Sequence, residues 1–236
     1  MPEQRTLNQF ALFSLTDAYW QLTTPEQHAL TDELEQQLQT AAEAVHTYRI
    51  YPTRTEADLL VWSACVAEDS AVAQTFFRAF GRAVQPFRRY LAPRDSLWGF
   101  TRRSTYAGGR SAQEIDPFSP DRKPYLVIYP FAKTTEWYLM SRDARQGMMN
   151  EHIRIGREYE EITQLLLYAT GLEDSEFVVS YETDNLARFS ELVVALRATE
   201  ARRYTLRDTP IYTAVHEPLR EILVAPAWEA QAETMR

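Results

Sequence analysis

Residues 124–131, Pro124-Tyr-Leu-Val-Ile-Tyr-Pro-Phe131, decide the fold, because they have a counterpart in Asn8-Gln-Phe-Ala-Leu-Phe-Ser-Leu15 near the start of the sequence. Both segments are rich in the aliphatic and aromatic residues that are typical of β-strands. A helix-forming segment follows each of them. Their similar character indicates one α+β unit used twice, although their sequence identity is low.

Strands and helices are predicted to alternate in the first half. A helix begins with Thr24 as its N-cap and Pro25 at its first position. The predicted elements, in chain order, are a strand over 7–15, this helix to about residue 45, a strand over 58–66, a helix over 70–90 and a strand over 96–106.

The second half repeats this rhythm. Its predicted elements are a strand over 124–131, a helix from 141 to about 159, strands over 165–168 and 176–181, a helix over 184–197 and a short strand over 203–206. The predicted fold class is α+β, with two ferredoxin-like modules per chain whose antiparallel sheets close side by side into a barrel of the dimeric α+β type. The modules span 1–106 and 124–214, with a linker over 107–123 and a tail over 215–236.

Composition excludes several classes of function. A net charge of -8 argues against a nucleic-acid-binding role, because phosphate binding depends on clustered Lys and Arg. No apolar run has the length of a signal peptide or of a membrane span, so we expect a cytoplasmic protein with no membrane partner. The single cysteine, Cys65, cannot form an internal disulfide, and its apolar neighbours predict a buried side chain.

The helix over residues 146–159 carries a candidate functional residue, His152. Three- and four-residue spacing places it on one stripe with Met148, Met149, Ile155, Gly156 and Tyr159. A neutral imidazole on an apolar wall can bind haem iron axially. The helix pattern alone favours the alternative, a core histidine that is hydrogen-bonded to backbone or to a carboxylate.

Other familiar sites are not predicted. His28, His46 and His216 are isolated, without the spacing that builds multi-histidine metal centres. No Gly-x-Ser-x-Gly turn, phosphate-binding loop or dinucleotide fingerprint occurs. Common hydrolases, kinases and dehydrogenases are therefore disfavoured.

The second half resembles the chlorite dismutase and coproheme decarboxylase superfamily. The resemblance covers about residues 97–213 and is closest to the coproheme decarboxylases. The matching motifs are Tyr129-Pro-Phe-Ala-Lys-Thr-Thr-Glu-Trp-Tyr138, Met149-Asn-Glu-His152, Gly156-Arg-Glu-Tyr159, residues 168–174 and 177–182, and Arg207-Asp-Thr-Pro210.

This resemblance implies haem b or Fe-coproporphyrin III bound by the C-terminal module, with His152 as the axial iron ligand. It also implies hydrogen peroxide as co-substrate, a ring-shaped homo-oligomer that is commonly a pentamer, and transient contact with a coproporphyrin ferrochelatase. The carboxylate that accepts a hydrogen bond from the other nitrogen of His152 would be that of Glu200, with Glu182 as the alternative.

One residue distinguishes the branches of this family. Chlorite-degrading members place an arginine on the distal side of the haem, where its guanidinium holds an anion. In this sequence the position falls on Gln164 or, with a gap placed elsewhere, on Leu165. Glutamine is typical of the coproheme decarboxylases, so Gln164 is the predicted distal residue.

The resemblance assigns catalysis to Tyr129 and Lys133, the tyrosine as a radical former and the lysine as a carboxylate anchor that moves a proton. Tyr106 is a candidate propionate ligand. These residues predict peroxide-dependent decarboxylation of two propionates of coproheme to give haem b. The alternatives are a haem b chlorite dismutase-like enzyme or peroxidase, and a non-catalytic haem-binding protein.

Overall fold

The computed structural model of the chain describes residues 4–106 and 111–224. They fall into two compact units. Unit 1 is formed by Leu97–Thr213 with the first residues up to Asn8, and unit 2 by Gln9–Ser96 with the residues from Ala214 onward. None of the helices described is both long and apolar enough to span a membrane.

The first elements of the chain alternate as predicted but include one further strand. In order they are β1 (Thr6–Leu15), α1 (Asp17–Trp20), α2 (Thr24–Ala41), β2 (Ala44–Arg49), β3 (Leu59–Val66), α3 (Val72–Val84), a 3-10 turn (Gln85–Phe87) and β4 (Leu91–Thr101).

The second series of elements follows residue 111. It consists of β5 (Tyr125–Lys133), α4 (Thr135–Leu139), α5 (Arg142–Gly156), β6 (Thr163–Tyr168), β7 (Phe177–Thr183), α6 (Leu186–Arg197), a 3-10 turn (Glu200–Tyr204), β8 (Thr205–Arg207), β9 (Tyr212–His216) and α7 (Leu219–Leu223).

The predicted strand over 96–106 is β4, which begins at Leu91 and ends at Thr101, and both predicted ends of α2 are wrong. The N-cap of α2 is Thr23 rather than Thr24, because the backbone amide of Thr23 donates to the carboxylate of Glu26 at 2.8 Å and completes a capping box. The helix ends at Ala41 instead of continuing to residue 45, because the following residues form β2, which pairs antiparallel with β3.

Unit 2 has the strand order β4-β1-β3-β2, with β9 beside β2. Its core forms where α2, α3 and α7 contact each other and the sheet. The fully buried side chains in this core include Tyr19, Leu34, Leu38, Leu59 and Leu91. Cys65 is buried as predicted.

Unit 1 has the strand order β9-β5-β7-β6, with the end of β4 beside β6. The pairs β5–β7 and β6–β7 are antiparallel, with Tyr129 opposite Val179 and Gln164 opposite Tyr181. In unit 2 the main elements run β-α-β-β-α-β, and the sheet places the fourth strand beside the first, then the third, then the second. Unit 1 has the same order with β9, which was not predicted, as its fourth strand; the strand predicted over 203–206 is the short β8, which pairs with the end of β5. This is the element order expected for a ferredoxin-like module.

The predicted α+β class is confirmed, and the antiparallel strand pairs agree with it. The closed barrel and the predicted module boundaries stay predictions. Residues 111–123, part of the predicted linker, belong to unit 1, where Ile115 is 3% exposed.

Replacing Gly99 by alanine is expected to destabilise the sheet of unit 1. A Cβ at this position would lie 2.8 Å from the carbonyl oxygen of Tyr168 and 3.0 Å from Cβ of Leu167. Because the nearest atom belongs to the backbone of a paired strand, we expect Gly99→Ala to lower the free energy of unfolding by about 1–3 kcal/mol in urea denaturation.

Gly147→Ala is the matched control for this substitution. Gly147 is exposed on α5, and a Cβ there meets nothing within 4 Å. Alanine should leave stability unchanged or raise it by about 0.5–1 kcal/mol. Equal effects of the two variants would contradict the close approach at Gly99.

Candidate active site

Unit 1 encloses a cavity of about 1160 Å³. Its lining comes from strands β5, β6 and β7, from helices α5 and α6, and from the segments on either side of the undescribed residues 107–110. Sites for small molecules and cofactors commonly measure about 300–1,000 Å³, so this cavity has room for a large ligand.

The sheet wall of the cavity is built from alternate residues of neighbouring strands. Directly opposite residues of an antiparallel pair project from the same face. The register therefore brings one face of three strands together as the sheet wall, whose members are Tyr129, Phe131, Lys133, Gln164, Leu166, Tyr168, Val179 and Tyr181.

The helix wall lies on one side of α5 and its C-terminal extension. Its members recur with the three- and four-residue spacing of one helix face: Met149, His152, Ile153, Gly156, Arg157 and Glu160. None of the fifteen residues of α5 is fully buried, and one side of the helix borders the cavity. The predicted stripe is correct for Met149, His152 and Gly156.

His152 projects from the helix wall as the sequence predicts. Its Nδ1 atom is buried and has no hydrogen-bond partner in the described part of the chain. Burial, aided by the positive charge of Lys133 and opposed by Glu151, lowers the pKa of His152 to about 4. The imidazole is therefore neutral near pH 7, which is the form that binds metal ions.

Lys133 lies at the end of β5 in an enclosed environment. Its ammonium group lies 4.6 Å from the ring centroid of Trp137 and donates to Oγ1 of Thr205 at 3.3 Å. Burial, together with the charge of Arg202 and against that of Glu176, lowers the pKa of Lys133 to about 8. This amine can give up or accept a proton near neutral pH, unlike an exposed lysine.

Tyr129 lies in the same cavity and has a tyrosine partner that was not predicted from the sequence. Its ring stacks with that of Tyr181, with the two ring centroids 6.1 Å apart. Burial, followed by the effects of Tyr181, raises the pKa of Tyr129 well above its usual value. The alternation of Val179 and Tyr181 along a predicted strand was the signal that could have indicated this partner.

The alternation of β6 distinguishes between the two predicted distal positions. Gln164 lines the cavity, whereas Leu165 is buried on the opposite face of the sheet and is absent from the lining. The backbone amide of Gln164 donates to the carbonyl of Gln113 at 2.7 Å. Of the two predicted distal residues, the one that faces the cavity is therefore Gln164, whose side chain is an amide.

The remaining predicted site residues are not brought to His152 or into the cavity. Tyr106 is absent from the lining, and its ring lies 6.3 Å from that of Trp137. The carboxylate of Glu200 pairs with Arg203 at 3.1 Å. Glu182 forms a buried ion pair with Arg122 at 3.3 Å. Neither carboxylate makes a hydrogen bond to Nδ1 of His152.

The segment before β5 closes one side of the cavity. Nε2 of Gln113 donates hydrogen bonds of 2.9–3.3 Å to three backbone carbonyls, those of Gly156, Tyr159 and Ile162. These bonds attach the segment to the end of α5, and the neighbouring Glu114 also lines the cavity. A side chain in the predicted linker therefore fixes the position of the helix that carries His152.

Arginine side chains, which were not predicted as site residues, form a further part of the lining. They belong to Arg102, Arg103, Arg157, Arg197 and Arg202. The acidic side chains of the lining are Glu114, Glu160 and Asp208. Asp208, from the Arg207-Asp-Thr-Pro210 motif, pairs with two of these guanidinium groups, with closest distances of 2.5 and 3.4 Å. The excess of positive groups suits a ligand with several carboxylates.

These residues fit a haem-type group. His152 offers a neutral imidazole whose Nδ1 has no partner in the described chain, and the apolar sides of both walls suit a flat, largely apolar ring. The arginine groups and Lys133 can bind the ring's carboxylates. Tyr129 supplies a protonated phenol beside them, so the cavity contains side chains that could serve as an iron ligand, a proton carrier and an oxidisable group.

Comparisons of the sequence and of the structure with known proteins identify the same group of relatives. A family model described as chlorite dismutase matches residues 27–217. Coproheme decarboxylase from Mycolicibacterium smegmatis is 30% identical over 172 residues, 70% of this chain and 70% of that protein. Chlorite dismutase from Ideonella dechloratans is 22% identical over 226 residues, 91% of this chain and 77% of that protein. A mutant chlorite dismutase from Candidatus Nitrospira defluvii has a similar structure, with a TM-score of 0.79, 26% identity and 94% of each chain covered.

The pKa of His152 predicts a pH-dependent loss of stability in the porphyrin-free chain. Because this pKa is lowered from 6.5 to about 4 on folding, the unfolded chain binds more protons between these values. The stabilisation is present above pH 6.5 and is lost as the pH falls toward 4, by about 3 kcal/mol. Urea denaturation at pH 7 and pH 4 measures the loss.

His152→Gln lacks the titrating ring and serves as the comparison. It should lose about 3 kcal/mol less stability than the wild-type chain between the two pH values. The same loss in both proteins would contradict a buried, neutral imidazole.

Proposed function

The chain belongs to the chlorite dismutase family, a family of haem-dependent enzymes, and we propose that within it the chain is a coproheme decarboxylase. The reaction is the oxidative decarboxylation of two propionates of Fe-coproporphyrin III by hydrogen peroxide, which gives haem b. The observation that carries this proposal is the composition of one cavity: Tyr129, Lys133 and His152 line it together, and the cavity-facing residue of β6 is Gln164 rather than an arginine.

Charge complementarity supports coproheme as the substrate. Coproheme carries four propionate groups and haem b only two, so the substrate needs more cationic partners than the product. The cavity offers five arginines and Lys133 against three acidic residues. Guanidinium groups bind carboxylates in two-pronged geometry, which orients the ring as well as holding it.

His152 would hold the iron of the substrate from the helix wall. Its neutral imidazole has a free electron pair at physiological pH, because burial disfavours the protonated form. When bound, the iron supplies the redox chemistry with hydrogen peroxide. Gln164, on the sheet wall, offers a neutral amide that hydrogen-bonds peroxide but does not attract an anion as strongly as arginine does.

Tyr129 would act as the residue that is oxidised. A phenol gives up one electron and one proton, and burial keeps Tyr129 in its protonated form. The resulting phenoxyl radical removes a hydrogen atom from the β-carbon of a propionate. Loss of a second electron and of carbon dioxide then leaves a vinyl group. Each round consumes one hydrogen peroxide, which is reduced to two molecules of water.

Lys133 would anchor the reacting propionate and exchange a proton. Its position at the end of β5 places it on the same strand and the same face as Tyr129. Because burial lowers its pKa to about 8, the ammonium group carries a positive charge at pH 7 and releases its proton readily. A permanently charged guanidinium could provide the first of these roles but not the second.

A second candidate function is chlorite degradation or a haem b peroxidase reaction. Solved structures of chlorite dismutases from Candidatus Nitrospira defluvii match almost the whole chain, and they favour this alternative. A non-catalytic haem-binding protein is the third candidate. The presence of both Tyr129 and Lys133 in the cavity lining favours the decarboxylase over either of these.

We also propose the assembly and partners that the family resemblance implies. These are a homo-oligomer, commonly a pentamer, transient contact with a coproporphyrin ferrochelatase that delivers coproheme, and action in the cytoplasm. Unit 1 has exposed apolar side chains suited to protein contacts at Leu139, Val194 and Leu206, which are 80%, 67% and 72% exposed.

The proposed reaction predicts stepwise loss of two carboxyl groups from coproheme. Purified protein is mixed with ferric coproheme III, hydrogen peroxide is added in small steps, and the products are followed by mass spectrometry. Tyr129→Phe should slow both steps by more than about a hundredfold, because it removes the O–H bond that is broken in each round. Coproheme binding should remain within about twofold, since the ring and its packing are kept.

Tyr125→Phe is the matched control, because Tyr125 lies on the same strand but outside the cavity lining. It should react like the wild-type chain. Tight binding of coproheme without loss of mass would exclude a decarboxylase. Release of dioxygen from chlorite by the haem b complex would then favour the second candidate.

A further inference from the structure

Gln113 contacts both walls of the cavity in unit 1. Its side chain is hydrogen-bonded to the end of α5 and to the residues after it, and its backbone pairs with β6. Helix α5 and strand β6 are consecutive elements, joined by the connection over residues 157–162. Because His152 lies on α5 and Gln164 on β6, the position of this connection affects how the two residues face each other.

The side-chain amide of Gln113 binds three carbonyl groups at this connection. Its Nε2 atom lies 3.3 Å from the carbonyl oxygen of Gly156, 2.9 Å from that of Tyr159 and 3.1 Å from that of Ile162. An amide nitrogen has two N–H donors, so the three acceptors share two hydrogens. The backbone amides of Tyr159 and Ile162 donate to the carbonyls three residues before them, at 3.2 and 3.0 Å. Gln113 therefore connects two successive turns that the backbone alone closes one at a time.

The backbone around Gln113 is attached to the strand of the other wall. The carbonyl of Gln113 accepts a hydrogen bond from the amide of Gln164 at 2.7 Å, and the amide of Ile115 donates to the carbonyl of Gln164 at 3.0 Å. Glu114, between them, forms a parallel bridge with Gln164. Ile115 is 3% exposed, so its apolar side chain fixes this short segment in the protein interior. The segment therefore provides a firm base for the Gln113 side chain.

The placement of His152 depends on the end of α5 that Gln113 holds. His152 lies four residues before Gly156, which is the last residue of this helix. Its Nδ1 atom has no hydrogen-bond partner in the described part of the chain, so no bond at this atom orients the ring. The orientation of the ring must then come from the helix that carries it. Supporting bonds of this kind hold a metal ligand in the geometry that it needs.

We propose that Gln113 is a positioning residue that sets the separation of the helix wall and the sheet wall, and thereby the geometry in which His152 meets the iron while Gln164 faces the ring from β6. This inference rests on the proposed binding of coproheme and adds a residue to that site. Gln113 acts through α5 and β6 and takes no part in the transfer of electrons or protons.

The test uses two substitutions of Gln113 that differ in their hydrogen-bond donors. Gln113→Met keeps an unbranched side chain of similar length and removes both N–H groups, whereas Gln113→Lys supplies three N–H donors. The matched control is Gln146→Met, because Gln146 lies on α5 and donates to the carbonyl of Tyr106 at 3.0 Å but is outside the cavity lining. The backbone bonds to Gln164 remain possible in all three variants.

Two quantities are measured. The first is the rate of amide hydrogen exchange at residues 157–162 in the porphyrin-free chain. The second is the width of the iron–imidazole stretching band of the reduced coproheme complex, by resonance Raman spectroscopy. A bonded connection exchanges slowly because it must open first. A single orientation of the imidazole gives a narrow band, and a mixture of orientations gives a broad one.

We expect Gln113→Met to speed the exchange of these amides about 10-fold, the effect of one to two hydrogen bonds, and to broaden the band. Gln113→Lys should remain within about twofold of the wild-type exchange rate, with a narrow band, and Gln146→Met should match the wild-type chain in both measurements. If Gln113→Met does not fold, Gln113→Asn takes its place, because its amide is shorter by one carbon and cannot reach all three carbonyls.

An unchanged exchange rate in Gln113→Met would overturn this role. Faster exchange with an unchanged band would also overturn it, because Gln113 would then stabilise the connection without positioning His152. Equal broadening in Gln113→Met and Gln113→Lys would do the same, since donation to the carbonyls would not be the cause. Absence of carboxyl loss in the wild-type complex would instead overturn the proposed function, while exchange and band width still test Gln113.

Discussion

The register between β5, β7 and β6 is the constraint on which the candidate site depends. Side chains alternate between the two faces of a strand, so a shift by one residue would move every member of the sheet wall to the opposite face. The observed pairing of Tyr129 with Val179 and of Gln164 with Tyr181 places a phenol pair and an amide on the cavity side. The same register buries Leu165 on the opposite face.

Burial and an excess of positively charged side chains together determine the electrostatic environment of this cavity. The chain has a net charge of -8, yet cationic side chains outnumber acidic ones in the lining. Burial keeps His152 neutral and lowers the pKa of Lys133, while it keeps Tyr129 protonated. Each group is therefore held in the protonation state that its proposed role requires: a metal ligand, a proton carrier and a hydrogen-atom donor.

Sequence periodicity predicted the strongly patterned elements, including β1, α5 and α6, and it placed His152 on the inner side of its helix. It failed at β2, because only Tyr48 of that strand is buried and the segment has no clear apolar alternation. The choice between Gln164 and Leu165 and the contact between Tyr129 and Tyr181 depend on strand register, which joins residues distant in sequence. The same holds for the carboxylates of Glu200 and Glu182, which find arginine partners instead of His152.

The most direct test of the site is binding of ferric coproheme to the wild-type chain and to His152→Gly, with and without added imidazole. Stoichiometry is followed by absorption, and the iron–imidazole stretching band by resonance Raman spectroscopy after reduction. If His152 holds the iron, the wild-type complex has this band, the variant lacks it, and added imidazole restores it. A variant complex that retains the iron–histidine band without imidazole would contradict the assignment of His152.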